Sequence, residues 1–190
     1  NQRLEYMDLG DNRLTDTAVQ LLATMLATKA KRAQQSSVLF PFSLKRIVLS
    51  SNNITSNGFG LLSAALTSSR STHCEVAHCQ VRDDGCRVMA QHLENNKYLR
   101  VIDISSNLLT ADGLWVMAEA LRNNGSVEIL RLNDNRLFDS GGRALASILK
   151  YNHWIKEVNV SGNGIGTKGV IPITKVLMHR RVGLELWMHG

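Results

Sequence analysis

The stretch Leu99-x-x-Ile102-x-Ile104-x-x-Asn107-x-Leu109 decides how this chain reads, because it returns as Val127-x-x-Leu130-x-Leu132-x-x-Asn135-x-Leu137 and again from Ile155 to Ile165. The anchoring residues Asn107 and Asn135 stand 28 positions apart. Counting upstream places Cys79, Asn52 and, after a longer step, Asn12 in the same slot. A unit that recurs at a fixed period of this length cannot bury its apolar face alone, so it stacks on its neighbours into a solenoid.

Each copy opens with apolar residues two apart, such as Ile102 and Ile104, which is the alternation of a short strand. The second half changes period. Gly113, Met117 and Leu121 are four apart, as are Gly58-Leu62-Leu66, Gly85-Met89-Leu93 and Gly141-Leu145-Leu149, so one apolar stripe runs along a helix in every repeat. The glycine, repeated as Gly169, is expected at the first helical position, where a missing side chain brings the helix close to the strand layer. The fold class is therefore α/β, built as strand, turn and helix repeated along 1–190 in a single domain of about six copies and a partial seventh.

This pattern resembles the leucine-rich repeat family, in particular its ribonuclease-inhibitor-like class. The resemblance implies a curved solenoid with parallel strands on a concave face and helices on a convex face. It also implies that the amides of Asn12, Asn52, Asn107, Asn135 and Asn163 satisfy backbone groups inside the turns, with Cys79 as the family's substitute. Proteins of this class, among them ribonuclease inhibitor, tropomodulin caps and activators of the Ran GTPase, work by holding another protein. The chain opens and closes on repeats without polar caps, which reads as an excerpt of a longer protein.

Residues between the core positions of each strand share the concave face. That face collects Tyr6, Asp8, Asp11, Arg46, His73, Glu75, His78, Asp103, Arg131, Asn133, Asp134, Glu157, Asn159, Glu185 and Trp187. Seven of these are acidic and two are arginines, although the whole chain holds 22 Lys and Arg against 16 Asp and Glu. The positive balance is thus expected on the back and rims, at residues such as Arg87, Arg122, Lys150, Lys156 and Arg180. An acidic concave stripe steers a partner protein with a basic surface. Nucleic-acid contact through the basic rims ranks below that reading; aromatic stacking platforms for single strands are lacking, so any such contact should be driven by phosphates. The concave face itself has Tyr6 and Trp187, at its ends, as its only aromatics. A GTPase-activating role through Arg131 and Asn133, or a structural place in a ribonucleoprotein or cytoskeletal assembly, are the alternatives.

The step from Asn12 to Asn52 is 40 residues, so an insertion lies near 28–43. It carries a basic run with Lys29, Lys31 and Arg32 and an apolar clump with Phe40 and Phe42, and is expected to be a loop that either packs on the local core or contacts the partner. Trp115 occupies a slot that should lie on the exposed helical surface, where it packs on the neighbouring helix or meets a partner.

No catalytic set, cofactor motif or phosphate loop accompanies the repeats. His73 and Cys74 are strand neighbours facing opposite sides, which argues against a shared metal. The three cysteines fall on core or turn positions and read as reduced, which favours a reducing, intracellular compartment such as the cytoplasm and no membrane. Of three glycosylation sequons, at Asn53, Asn124 and Asn159, the last would set a glycan on the binding face, in keeping with that compartment.

Overall fold

A computed structural model describes residues 4–35, 44–180 and 183–189. Strands and helices alternate in the order β1 (Tyr6–Asp8), α1 (Asp16–Gln35), β2 (Arg46–Val48), α2 (Ser56–Ser69), β3 (His73–Glu75), α3 (Asp83–Leu93), β4 (Val101–Asp103), α4 (Ala111–Asn123), β5 (Ile129–Arg131), α5 (Phe138–Tyr151), β6 (Glu157–Asn159), α6 (Thr167–Leu177) and β7 (Glu185–Trp187). The strands form one parallel sheet in sequence order, and each helix packs on the helices next to it in the chain. No described helix is long and apolar enough to cross a membrane.

The core lies between the two layers. The central residue of each inner strand, Ile47, Cys74, Ile102, Leu130 and Val158, is fully buried and faces helix residues such as Leu62, Met89, Met117 and Leu145. Burying a side chain of this kind contributes about 1.5–3 kcal/mol, and every repeat supplies several. Cys74 and Cys86 are buried and behave as small apolar groups, with burial pushing both thiols well up from the ordinary range. Cys79 is half-buried, its Sγ 3.6 Å from the Leu49 carbonyl.

Three polar ladders run across the repeats. In the first, the Asn107 amide donates to the carbonyls of Val76, Ile104 and Ser105, and its Oδ1 accepts the Val81 N–H. Asn52, Asn135 and Asn163 repeat this pattern, each joining its own turn to the preceding repeat. Asn12 sits in the first repeat and reaches only its own turn. The residue just before each of these slots, Asp11, Ser51, His78, Ser106, Asp134 or Gly162, has positive φ between 51° and 66°, which bends the chain away from the sheet.

The second ladder joins the loops before the strands. Asn124 donates to Leu93 O and Asn96 O, and Asn152 donates to Leu121 O and Asn124 O. Arg180 continues it: Nη1 donates to Leu149 O at 3.0 Å and Asn152 O at 2.9 Å, and Nη2 to Ile155 O at 2.7 Å. Arg180 is thus a structural donor tied to three carbonyls, not rim decoration, and burial lowers its pKa from the ordinary arginine value. Asn124 is 2% exposed, so its sequon is inaccessible in the fold.

The third ladder explains the glycines. Asp83 accepts the Thr110 N–H and hydroxyl, and Asp16 does the same for Thr55, so an aspartate at one helix start holds the next helix start. A Cβ on Gly113 would stand 2.5 Å from Asp83 Oδ1. The glycine is the third residue of its helix here, not the first, and the close approach it permits is to the neighbouring repeat rather than to the strand layer.

The insertion also differs from expectation. Its basic part is not a loop, because α1 runs for 20 residues and carries Lys29 and Lys31 on its last turns. The side chain of Arg32, together with Phe40 and Phe42, lies outside the described residues.

Candidate functional site

Strand register sets the geometry of the outer strand face. Parallel pairing aligns Tyr6, Arg46, His73, Val101, Ile129, Glu157 and Glu185 in one column, and Asp8, Val48, Glu75, Asp103, Arg131, Asn159 and Trp187 in the next. Parallel neighbours sit about 4.8 Å apart, so each column is a ruler of evenly spaced side chains. The residues expected on one face are therefore brought together, flanked by the turn row of Asp11, His78 and Asp134 with Asn133 beside it.

The charges on this face are internally compensated to a degree that the residue types alone do not show. Arg46 Nε contacts Glu75 Oε1 at 2.6 Å, and its guanidinium lies 5.2 Å from the Tyr6 ring centre. Arg131 is clamped between Glu157 at 3.2 Å and Asp103 at 4.0 Å. Both arginines are therefore occupied within the sheet. Asp8 accepts the Gly10 N–H, and then the Tyr6 hydroxyl, and these bonds hold its carboxyl below the ordinary range, while the bond to Asp8 raises the Tyr6 phenol. His73 is half-buried, and burial lowers its pKa. Among the described residues, Asp8, Asp11, Asp134 and Glu185 make no ion pair, although Asn133 donates to Asp134 at 2.8 Å. Tyr6 and Trp187, 49% and 47% exposed, mark the two ends of the face.

Charge segregates along the strand direction. Helix starts lie at the trailing ends of the strands and carry Asp16, Asp83, Asp84, Asp112 and Asp139, whereas helix ends lie at the leading edge and carry His92, Arg122, Lys150 and Lys175. Each sign complements the helix dipole at that end. On the leading edge Glu128 joins Arg100 at 2.9 Å and Lys156 at 2.6 Å; the Lys156 hydrogen bond, then its charge and that of Arg100, hold the Glu128 carboxyl below the ordinary range.

Aromatic side chains missed by reading the strand face alone stand on this same leading edge. Tyr98, Tyr151 and Trp154 are 39%, 41% and 62% exposed. Arg70 lies 5.4 Å from the Tyr98 ring centre, and Arg122 and Lys150 lie 3.9 Å and 5.0 Å from that of Tyr151. Tyr98 and Trp154 each stand two residues after a second-ladder asparagine, Asn96 and Asn152, so aligning the residues after those asparagines could have found them, while Tyr151 stands just before Asn152. Trp115, on α4, is 37% exposed and so stands partly clear of its neighbours.

The leucine-rich repeat family model matches residues 1–23, 123–146 and 151–173. Solved structures of similar architecture include leiomodin-1 actin-binding site 2, with 17% identity and a TM-score of 0.59 over 80% of this chain and 87% of that chain. An internalin (inlF) from Listeria monocytogenes str. 4b F2365 is 18% identical with a TM-score of 0.56, over 92% of this chain and 40% of that chain. No curated protein sequence matches the chain. At such identities the likeness is one of fold.

Proposed function

We propose that this chain, a leucine-rich repeat solenoid, is a non-catalytic module that holds a partner protein against its outer strand face and favours a basic partner surface. One observation carries the reading: both arginines of that face are already paired within the sheet, while Asp11, Asp134 and Glu185 make no ion pair among the described residues and Asp8 feels Arg46 only beyond ion-pair distance. Unpaired carboxylates on a rigid ladder speed encounter with a basic surface and fix its register. The end aromatics Tyr6 and Trp187 supply the apolar contact area that anchors such interfaces.

The test is capture from nuclease-treated cell extract with the chain as bait, in three forms. Asp134→Asn with Glu185→Lys removes unpaired acid from the strand face without disturbing the Arg131 clamp, and Glu119→Lys changes charge on exposed α4. A protein retained by the wild type and by Glu119→Lys but lost from the double variant supports the reading. Equal retention by all three contradicts it.

A further inference from the structure

Dipole complementarity accounts for cations at helix ends, but it asks for no aromatic rings beside them. The leading edge has both. Tyr98, Tyr151 and Trp154 alternate there with Arg70, Lys97, Arg122 and Lys150, and two of the three rings already carry a cation against the ring.

The same edge opens into a cleft between α5 and the end of α6. This cleft is about 410 Å³ and is lined by Lys150, His153, Lys175, His179 and Arg180 over the apolar floor of Leu149 and Val176, with no carboxylate among them. The corresponding cleft between α2 and α3 is nearly closed, at about 10 Å³. The two clefts differ in the ladder beside them, since Arg180 fills the position where an asparagine stands in the preceding repeats.

We propose that the leading edge from Tyr98 to Arg180 binds single-stranded nucleic acid, with phosphates on Lys150 and Lys175 and bases against Trp154 and the tyrosines. Cationic grooves interleaved with exposed rings suit single strands, because every base presents a stacking face and every phosphate a charge. An acidic peptide would use the cations and leave the rings idle. A duplex would have its bases already stacked. The expectation that stacking platforms for single strands are lacking fails at this edge, where Tyr98, Tyr151 and Trp154 are exposed.

The test is fluorescence anisotropy of a labelled short oligouridine titrated with the chain at several salt concentrations. Binding should weaken steadily with salt. Lys150→Glu with Lys175→Glu should weaken it about tenfold or more and flatten the salt dependence. Trp154→Ala should weaken it about tenfold while leaving the salt dependence unchanged, because stacking releases no counterions. Circular dichroism would verify that each variant keeps the wild-type fold, and Trp154→Phe should restore most of the affinity. Absence of binding at low salt overturns the proposal. So does a silent Trp154→Ala, or displacement of the oligonucleotide by polyglutamate as effectively as by unlabelled oligouridine, which would show an acidic-peptide surface instead.

Discussion

Replacing Asn107 with alanine isolates the element on which the repeat register depends. Its amide donates to three carbonyls and its Oδ1 accepts the N–H of Val81, a residue that is 0% exposed. Three acceptors share two amide protons, so the lost donations amount to about two net hydrogen bonds at about 1 kcal/mol each. The Val81 N–H is also left buried without an acceptor, which adds about 1–3 kcal/mol. A total near 4 kcal/mol is a large fraction of the stability of an ordinary domain. Asn12→Ala is the matched control, because Asn12 is exposed and bonds only the carbonyls of its own turn, which water can replace at a cost of about 0.5–1 kcal/mol. Urea unfolding of both variants measures the difference, and amide exchange at Val81 localises it. Equal unfolding midpoints for Asn107→Ala and Asn12→Ala would refute the ladder as a source of stability.

Gly113→Ala should destabilise by about 1–3 kcal/mol, since the added methyl meets Asp83 Oδ1 and loosens its hold on Thr110, whereas Gly183→Ala, with nothing within 4 Å, should be nearly neutral by thermal denaturation. Arg180→Ala should destabilise by about 2–4 kcal/mol by freeing three carbonyls, and Arg180→Lys should recover only part of this because one ammonium cannot copy the forked geometry. Glu128 has a depressed pKa, so its pairing stabilises the fold above the ordinary glutamate pKa and is lost as pH falls through the folded value; Lys156→Met should move the carboxyl titration upward by NMR.

The period, the strands and the turn asparagines were legible because each repeat states them locally: Ile102 and Ile104 alternate, and Asn107 recurs as Asn135 and Asn163. Contacts between repeats were harder to read. Arg131 sits among acids in the sequence-derived column, yet its clamp by Asp103 and Glu157 depends on side-chain reach across two strand pairings. The ladder Asn96, Asn124, Asn152 and Arg180 keeps the beat but changes residue type at its last member, so charge disguised a buried structural donor as a surface one. The basic part of the insertion lacks the turn residues that would end α1, and the helix continues through it to Gln35. The rim aromatics Tyr98, Tyr151 and Trp154 lie at or just beyond helix ends, outside the strand alternation that defines the strand face, so that alternation carries no signal for them.

The most direct test of partner holding by the strand face is hydroxyl-radical footprinting of the chain with and without its captured protein partner. The strand-face reading predicts protection of Tyr6 and Trp187, with Met178 and Trp154, 82% and 62% exposed, oxidised as in the free chain. Protection of Met178 and Trp154 with Tyr6 and Trp187 left unchanged would contradict it.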